Sequence, residues 1–263
     1  MQLRLLPSTF GPHGQASPAQ HLTTVVVDEK VAIDAGSLAL SGAAYHAVRD
    51  IIITHPHLDH TATLPIFIDD LFGTLEQPVR VHTTEEIKAT LEANIFNWIV
   101  YPRFSELRNQ YGPVMEYVIL PEGVTSRVGH LDVTLVPVNH SVMTYGLLID
   151  DGACVVAFSS DTSATETIWA EANRQRRLDA VLIECSFPDE MAALAIGAGH
   201  LTPHTLAGEI AKLNAPDCAI LALHIKPAYL EAVTAQLRAL PLKGLHIMEA
   251  GRAYCFGEAK ASA

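Results

Sequence analysis

Ile51 to His60 reads IIITHPHLDH, so three isoleucines run straight into a segment carrying three histidines and an aspartate. A wholly apolar run of this kind is a buried strand. Alternate side chains leave a strand end on the same side, so His55 and His57 can converge on one ion. Asp59 and His60, on the turn that follows, can face a second ion. Imidazole with carboxylate suits zinc, manganese or iron. Metal pairs about 3.5–4 Å apart serve hydrolysis at phosphorus or carbon. One such histidine would read as a surface residue of a polar loop; the cluster of four does not.

Around this stretch the chain alternates strands and helices. LTTVVVDEKVAIDAG (22–36) reads as two strands joined by a turn at 28–30, and VRDIIITH and VRVHTT as buried strands. EEIKATLEANIFNWIV (85–100) carries Ile87, Leu91, Ile95 and Trp98 at helical spacing and predicts one buried face. LDVTLVPVNHS, TYGLLIDDGACVVAFSSDT and LDAVLIECSF add strands; PHTLAGEIAKL and PAYLEAVTAQLRAL begin near Pro and read as helices. The pattern is α/β, with two sheets face to face and helices outside, in a single domain over 1–263. Three polar residues close apolar runs: His140 after TLVPV, Asp161 after VVAFSS and His224 after AILAL. Strand ends are where such a scaffold places chemistry, so these are further ligand candidates.

Composition narrows the partners. The 263 residues hold 17 Lys+Arg against 29 Asp+Glu, a net charge of −12, and this sign opposes a nucleic acid partner. A small anionic substrate remains compatible where metal ions supply local positive charge. No apolar run reaches the length of a membrane span or a signal-peptide core, and the chain reads as cytoplasmic. Cys154, Cys185, Cys218 and Cys255 are too scattered for a zinc or redox motif; Cys185 reads as an inert core thiol.

THPHLDH (54–60), with His140, Asp161 and His224 following in that order, resembles the ligand motifs of the metallo-β-lactamase superfamily. The resemblance implies a four-layer αββα sandwich with two metals at the sheet edge, most simply zinc, with manganese or iron also accepted. It implies His55, His57 and His140 on the first metal, Asp59, His60 and His224 on the second, and Asp161 between them. Asp34 in IDAG would orient the ligand loop from outside.

HPHLDHTATLPIFIDDLFG, IFNWIVYPRF, ECSFPDEMAALAIGAGHLTP and LHIKP are similar to the class II 3′,5′-cyclic-nucleotide phosphodiesterases. That similarity implies hydrolysis of cyclic AMP or cyclic GMP to the 5′-monophosphate by a water activated between the metals. Thr63 departs from the class II pattern, which has Gly there. Glu184, Phe187, Gly199, His200 and Thr202 also resemble the E-x-x-F and G-H-x-T segments of tRNase Z. This assigns His200, with Glu184 beside it, to protonating the leaving oxygen, in addition to the catalytic Asp59. His200 by itself would equally read as a surface residue beside a helix.

Phe96, Trp98 and Tyr101 either stack on a base or, the simpler reading at helical spacing, pack in the core. His21 is a weak candidate from the opposite rim; His13, His46, His82, His130, His204 and His246 read as structural or surface. Rival readings are a tRNA-processing nuclease, an aryl sulfatase or lactonase relative, a redox diiron protein, or an inactive binding subunit. A homodimer is implied by resemblance alone.

Overall fold

The computed structural model describes residues 1–215 and 217–257. One sheet orders its strands β14-β1-β2-β3-β4-β5-β6. They are β1 (Gln2–Leu5), β2 (Val25–Val27), β3 (Val31–Ile33), β4 (Asp50–Ile52), β5 (Val79–Thr83), β6 (Met115–Ile119) and β14 (Ala253–Cys255). The second runs β13-β12-β11-β10-β9-β8-β7. It is built from β7 (Ser126–Val128), β8 (Leu131–Pro137), β9 (Tyr145–Asp150), β10 (Val155–Phe158), β11 (Ala180–Glu184), β12 (Ala219–Leu223) and β13 (Leu245–Ile247). Each sheet is antiparallel on one side and parallel on the other: β3 through β6 run parallel, as do β10 through β13.

The period of two along each strand decides which layer a side chain joins. In β11 and β12, Leu182, Leu221 and Leu223 face the core between the sheets, with Ile51 and Val81 of the first sheet in the same cluster. Their neighbours Val181, Ile183, Ile220 and Ala222 face outward onto helices. Those helices are α4 (Thr167–Arg174), α6 (Pro203–Ile210) and α7 (Leu230–Ala239), which contribute Trp169, Leu206, and Val233 with Leu237. Over the first sheet, α2 (Leu64–Leu71) and α3 (Glu85–Asn94) bury Phe67, Ile68, Ile87 and Leu91. The result is the αββα sandwich. The short α1 (Leu58–Thr61) and α5 (Ala192–Ala198) lie on connections between strands. No helix among the described residues is long and apolar enough to cross a membrane.

The hairpin expected at 28–30 is present, with Asp28 and Glu29 at φ of 50° and 57°. The helix expected over 85–100 stops at Asn94. The Asn97 carboxamide accepts from the Ile99 and Val100 amides, and Trp98 turns into the left-handed region at φ 66°. Ile87, Leu91 and Ile95 face the core as expected, but Trp98 is 53 % exposed. The apolar spacing continues in the letters after the backbone has left the helix.

Candidate metal centre

The parallel strands deliver their carboxyl ends to one edge of the sandwich, the position where open α/β sheets carry their ligands. Asp34 follows β3, His55 and His57 follow β4, Asp161 follows β10, Glu184 ends β11 and His224 follows β12. Asp34, Ser160 and His224 all take positive φ, at 60°, 54° and 61°. Non-glycine residues in that region cost of order 1–3 kcal/mol each, and three of them gathered at one edge mark it as a place held against local preference.

The donors expected from the sequence come together in two sets. His55, His57 and His140 place one ligand atom each within 4.8 Å of one another, and so do Asp59, His60, Asp161 and His224. Asp161 faces both, with Oδ2 at 3.7 Å from His55 Nε2, 3.3 Å from His60 Nε2 and 3.1 Å from His224 Nε2. His200 joins His140 and Asp161 in a further close group.

The loop that carries the donors is held by its neighbours. Asp34 accepts from the Thr54 amide at 2.9 Å and lies 2.7 Å from His60 Nδ1, which leaves His60 Nε2 directed at the donors. Thr54 Oγ1 meets His55 Nδ1 at 3.0 Å, Gly199 O meets His140 Nδ1 at 2.8 Å, and Thr23 Oγ1 meets His224 Nδ1 at 2.8 Å. Partners of this kind fix ring tautomers and orientations. The Thr23 amide donates to Asp59 O and the Ala35 amide to His60 O, at 2.8 and 2.7 Å. Gly36 is pressed so close to this loop that a Cβ there would collide with the Asp59 and Thr23 carbonyls.

Thr63 needs no glycine conformation, since its φ is −102°. Its hydroxyl instead donates to Ala35 O at 2.8 Å and accepts from the Ala39 amide at 3.1 Å. The departure from Gly thus adds a tie between the donor loop and β3's end.

Electrostatics separate the two sets. Burial pushes the pKa of His55, His57 and His140 down, and neighbouring histidines add to this at each ring. They stand as neutral imidazoles, the form that ligates. Burial would lower His60 as well, but the Asp161 and Asp34 carboxylates hold it well above the ordinary range. Asp161 is buried, which opposes its ionisation; the facing His224 and His60 rings outweigh this and hold its pKa well below the ordinary carboxylate range.

His55 Nε2 and His60 Nε2 are buried without any hydrogen-bond partner. Buried polar nitrogens rarely go unpaired, and here both point into a set of imidazoles and carboxylates. The residues therefore fit a pair of divalent cations, as their chemistry also does.

Glu184 and His200 form a separate dyad at the same edge. His200 Nδ1 lies 2.7 Å from Glu184 Oε1, and Ser186 Oγ donates to Glu184 Oε2 at 3.0 Å. The Thr162 amide also donates to Glu184 at 3.0 Å. Burial would depress His200, but the hydrogen bond and charge of Glu184 raise it instead. The His200 ring stands 4.9 Å from His140 and 5.6 Å from His224, centroid to centroid. An imidazole that its carboxylate partner biases toward the protonated form thus borders the donor sets.

Other candidates fall outside. His21 is exposed. His82 pairs with Asp50 at 2.8 Å and His130 with Asp28 at 2.7 Å, away from the donors. Phe96 is buried in the core and Tyr101 packs against it, while Trp98 points outward. Burial pushes the Cys185 thiol well up. Two residues beside the donors were missed: Thr23, on His224 Nδ1, and Lys226, whose Nζ reaches both Asp59 and His224 at 3.1 Å. For Lys226 the signal was a cation two positions past a candidate ligand in LHIKP; for Thr23 there was none.

Comparison with known proteins agrees with this frame. The beta-lactamase superfamily domain matches residues 31–225. A 3′,5′-cyclic-nucleotide phosphodiesterase of Aliivibrio fischeri is 31 % identical over 187 residues, covering 64 % of this chain and 54 % of that protein. The chain thus spans about half the length of that relative. A second, from Schizosaccharomyces pombe, is 26 % identical over 249 residues, 80 % of this chain and 69 % of the relative. Among solved structures, unliganded yeast PDE1 aligns with TM-score 0.74 at 15 % identity, over 96 % of this chain and 98 % of that one. The metallo-beta-lactamase fold protein YhfI of Bacillus subtilis gives 0.71 at 16 % identity, over 96 % and 98 %. With three quarters of its length inside the matched domain and every strand end in place, the chain belongs to the beta-lactamase superfamily and has the metallo-beta-lactamase fold.

Proposed function

We propose that this chain is a phosphodiesterase that uses two metal ions to hydrolyse 3′,5′-cyclic nucleotides to 5′-monophosphates. The observation that carries the reading is the conjunction of two adjoining donor sets with a Glu184-held His200 beside them. The 31 % identical relative named as such a phosphodiesterase supports the choice of substrate.

His55, His57 and His140 would hold one divalent cation, Asp59, His60 and His224 the other, with Asp161 shared. Zinc is the metal we assign; manganese and iron suit the same donors. Bound there, such ions supply positive charge to the phosphoryl oxygens and lower the pKa of an attacking water. The chain's net charge of −12 would otherwise repel a cyclic nucleotide.

The remaining requirement is a proton for the departing 3′-oxygen. With Glu184 accepting from Nδ1, His200 would present an Nε2–H to the departing oxygen, and the same carboxylate favours the protonated ring that this role needs. General acid assistance of this kind contributes about 10²–10⁴-fold. Protonating the 3′-oxygen leaves the phosphate on the 5′ side.

The test is incubation of zinc- or manganese-loaded protein with cyclic AMP and cyclic GMP, with products resolved chromatographically. The 5′-monophosphate is the expected product. Absence of turnover of either nucleotide, beside cleavage of a generic phosphodiester, would overturn the substrate and leave the metal centre standing.

A further inference from the structure

Lys226 sits on the loop that follows β12, two residues past His224. Its Nζ donates to Asp59 Oδ2 and to His224 Nε2, each at 3.1 Å. Both acceptors belong to the donor set that also contains His60 and Asp161. The backbone is anchored where it must be for this, since the Lys226 amide donates to Ser186 O at 3.3 Å. The side chain is 32 % exposed, which leaves the ammonium a route to solvent.

An imidazole nitrogen has a single lone pair. In the tautomer that ligation requires, His224 Nδ1 donates to Thr23 Oγ1 and Nε2 offers its lone pair. That pair can meet the Lys226 ammonium or a metal ion, but not both. Asp59 Oδ2 differs: a carboxylate oxygen has two lone pairs and can ligate while still accepting from Lys226. At the other set, His140 Nδ1 donates to Gly199 O and its Nε2 lone pair faces His57 Nδ1 at 3.1 Å, so the competitor there is a neutral ring and, among the described residues, no ammonium.

We propose that Lys226 competes with the incoming ion for His224. The set of Asp59, His60, Asp161 and His224 therefore binds its metal more weakly than the trio of histidines, and fills after it. This rests on the two-metal reading of the site. Until the ion arrives, the ammonium partly balances the negative charge of Asp59. On loading it gives up His224 and keeps Asp59, so it acts as a positioning residue that tunes metal affinity.

The experiment is a zinc titration of the full chain, stripped with a chelator, against a chromophoric zinc competitor. Wild type, Lys226→Met and Lys226→Arg are compared. Wild type should take up two ions in separable steps. Lys226→Met should tighten the second step by about 10-fold or more, the lower end of what outer partners of metal ligands exert. Its first step should not move, which also reports that the protein is folded. Lys226→Arg keeps a cation and should remain near wild type. Two ions bound with an unchanged or weakened second step in Lys226→Met would overturn the inference while the two-metal reading stands. Uptake of a single ion by wild type and Lys226→Met alike would overturn that reading, and this inference with it.

Discussion

The two donor sets meet at Asp161 yet are built from different chemistry. One is three imidazoles kept neutral chiefly by burial. The other mixes two carboxylates with His60, which two acidic neighbours hold above its ordinary range. By the competition proposed for Lys226, loading the second set displaces an ammonium from His224, whereas in the first set only the neutral His57 and His140 rings face each other, at 3.1 Å. A fold can thus place two similar-looking sites side by side and give them unequal affinity through the groups just behind them.

Asp161→Asn removes the carboxylate that faces both sets and should have the largest effect. Turnover should fall by at least about 10³-fold, since a residue aimed at two charge-stabilising ions exceeds the cost of a single donor. Metal content by elemental analysis should fall with it; full metal content with full activity would break the distinction between shared and unshared donors.

His200→Ala should lower kcat by about 10²-fold or more while the metal content stays that of wild type. The loss should shrink on an aryl phosphodiester, whose phenolate leaves without a proton. An equal loss on both substrates would remove His200 from the acid role.

Asp34→Asn touches the second set directly, through His60, and the first only through Thr54, whose hydroxyl donates to Asp34 and lies 3.0 Å from His55 Nδ1. Affinity for the second ion should therefore weaken by about 10-fold, with a smaller change in the first. Equal weakening of both would mean that Asp34 supports the loop as a whole.

A carboxylate–imidazole pair outside the site sharpens the same contrast. Burial raises the pKa of Asp50, but hydrogen bonds from His82 and Arg80, at 2.8 and 2.7 Å, override this and hold it well below the usual carboxylate range. A depressed folded-state pKa stabilises above the unfolded value and is lost as pH falls toward the folded one. Asp50→Asn should therefore cost about 1–3 kcal/mol at neutral pH, read by denaturant titration. The difference from wild type should narrow below about pH 4. It should not depend on added zinc, whereas Asp34→Asn should.

Much of this was legible in the sequence because it is local. An apolar run that ends in ligating side chains fixes strand, edge and chemistry together, as at Ile51–His60, Val155–Asp161 and Ala219–His224. The order of layers was implied by the resemblance, while the apolar letters of β11 and β12 mark strands covered on both faces. What stayed hidden depends on chain segments that meet only in the fold. Thr23 reaches His224 across 201 positions and Lys226 reaches Asp59 across 167. No spacing rule links them. The α3 boundary was misread for the opposite reason: Trp98 keeps helical spacing, but the Asn97 side chain has already closed a turn. Thr63 shows that a missing glycine can be replaced by hydrogen bonds when φ is ordinary.

The most direct test is anomalous diffraction from crystals of the zinc-loaded protein. Two peaks are expected, one within about 2.0–2.2 Å of His55, His57 and His140 nitrogens and one at that distance from Asp59, His60 and His224, with Asp161 facing both. A single peak, or any peak bound elsewhere while these seven side chains stay unligated, would contradict the account.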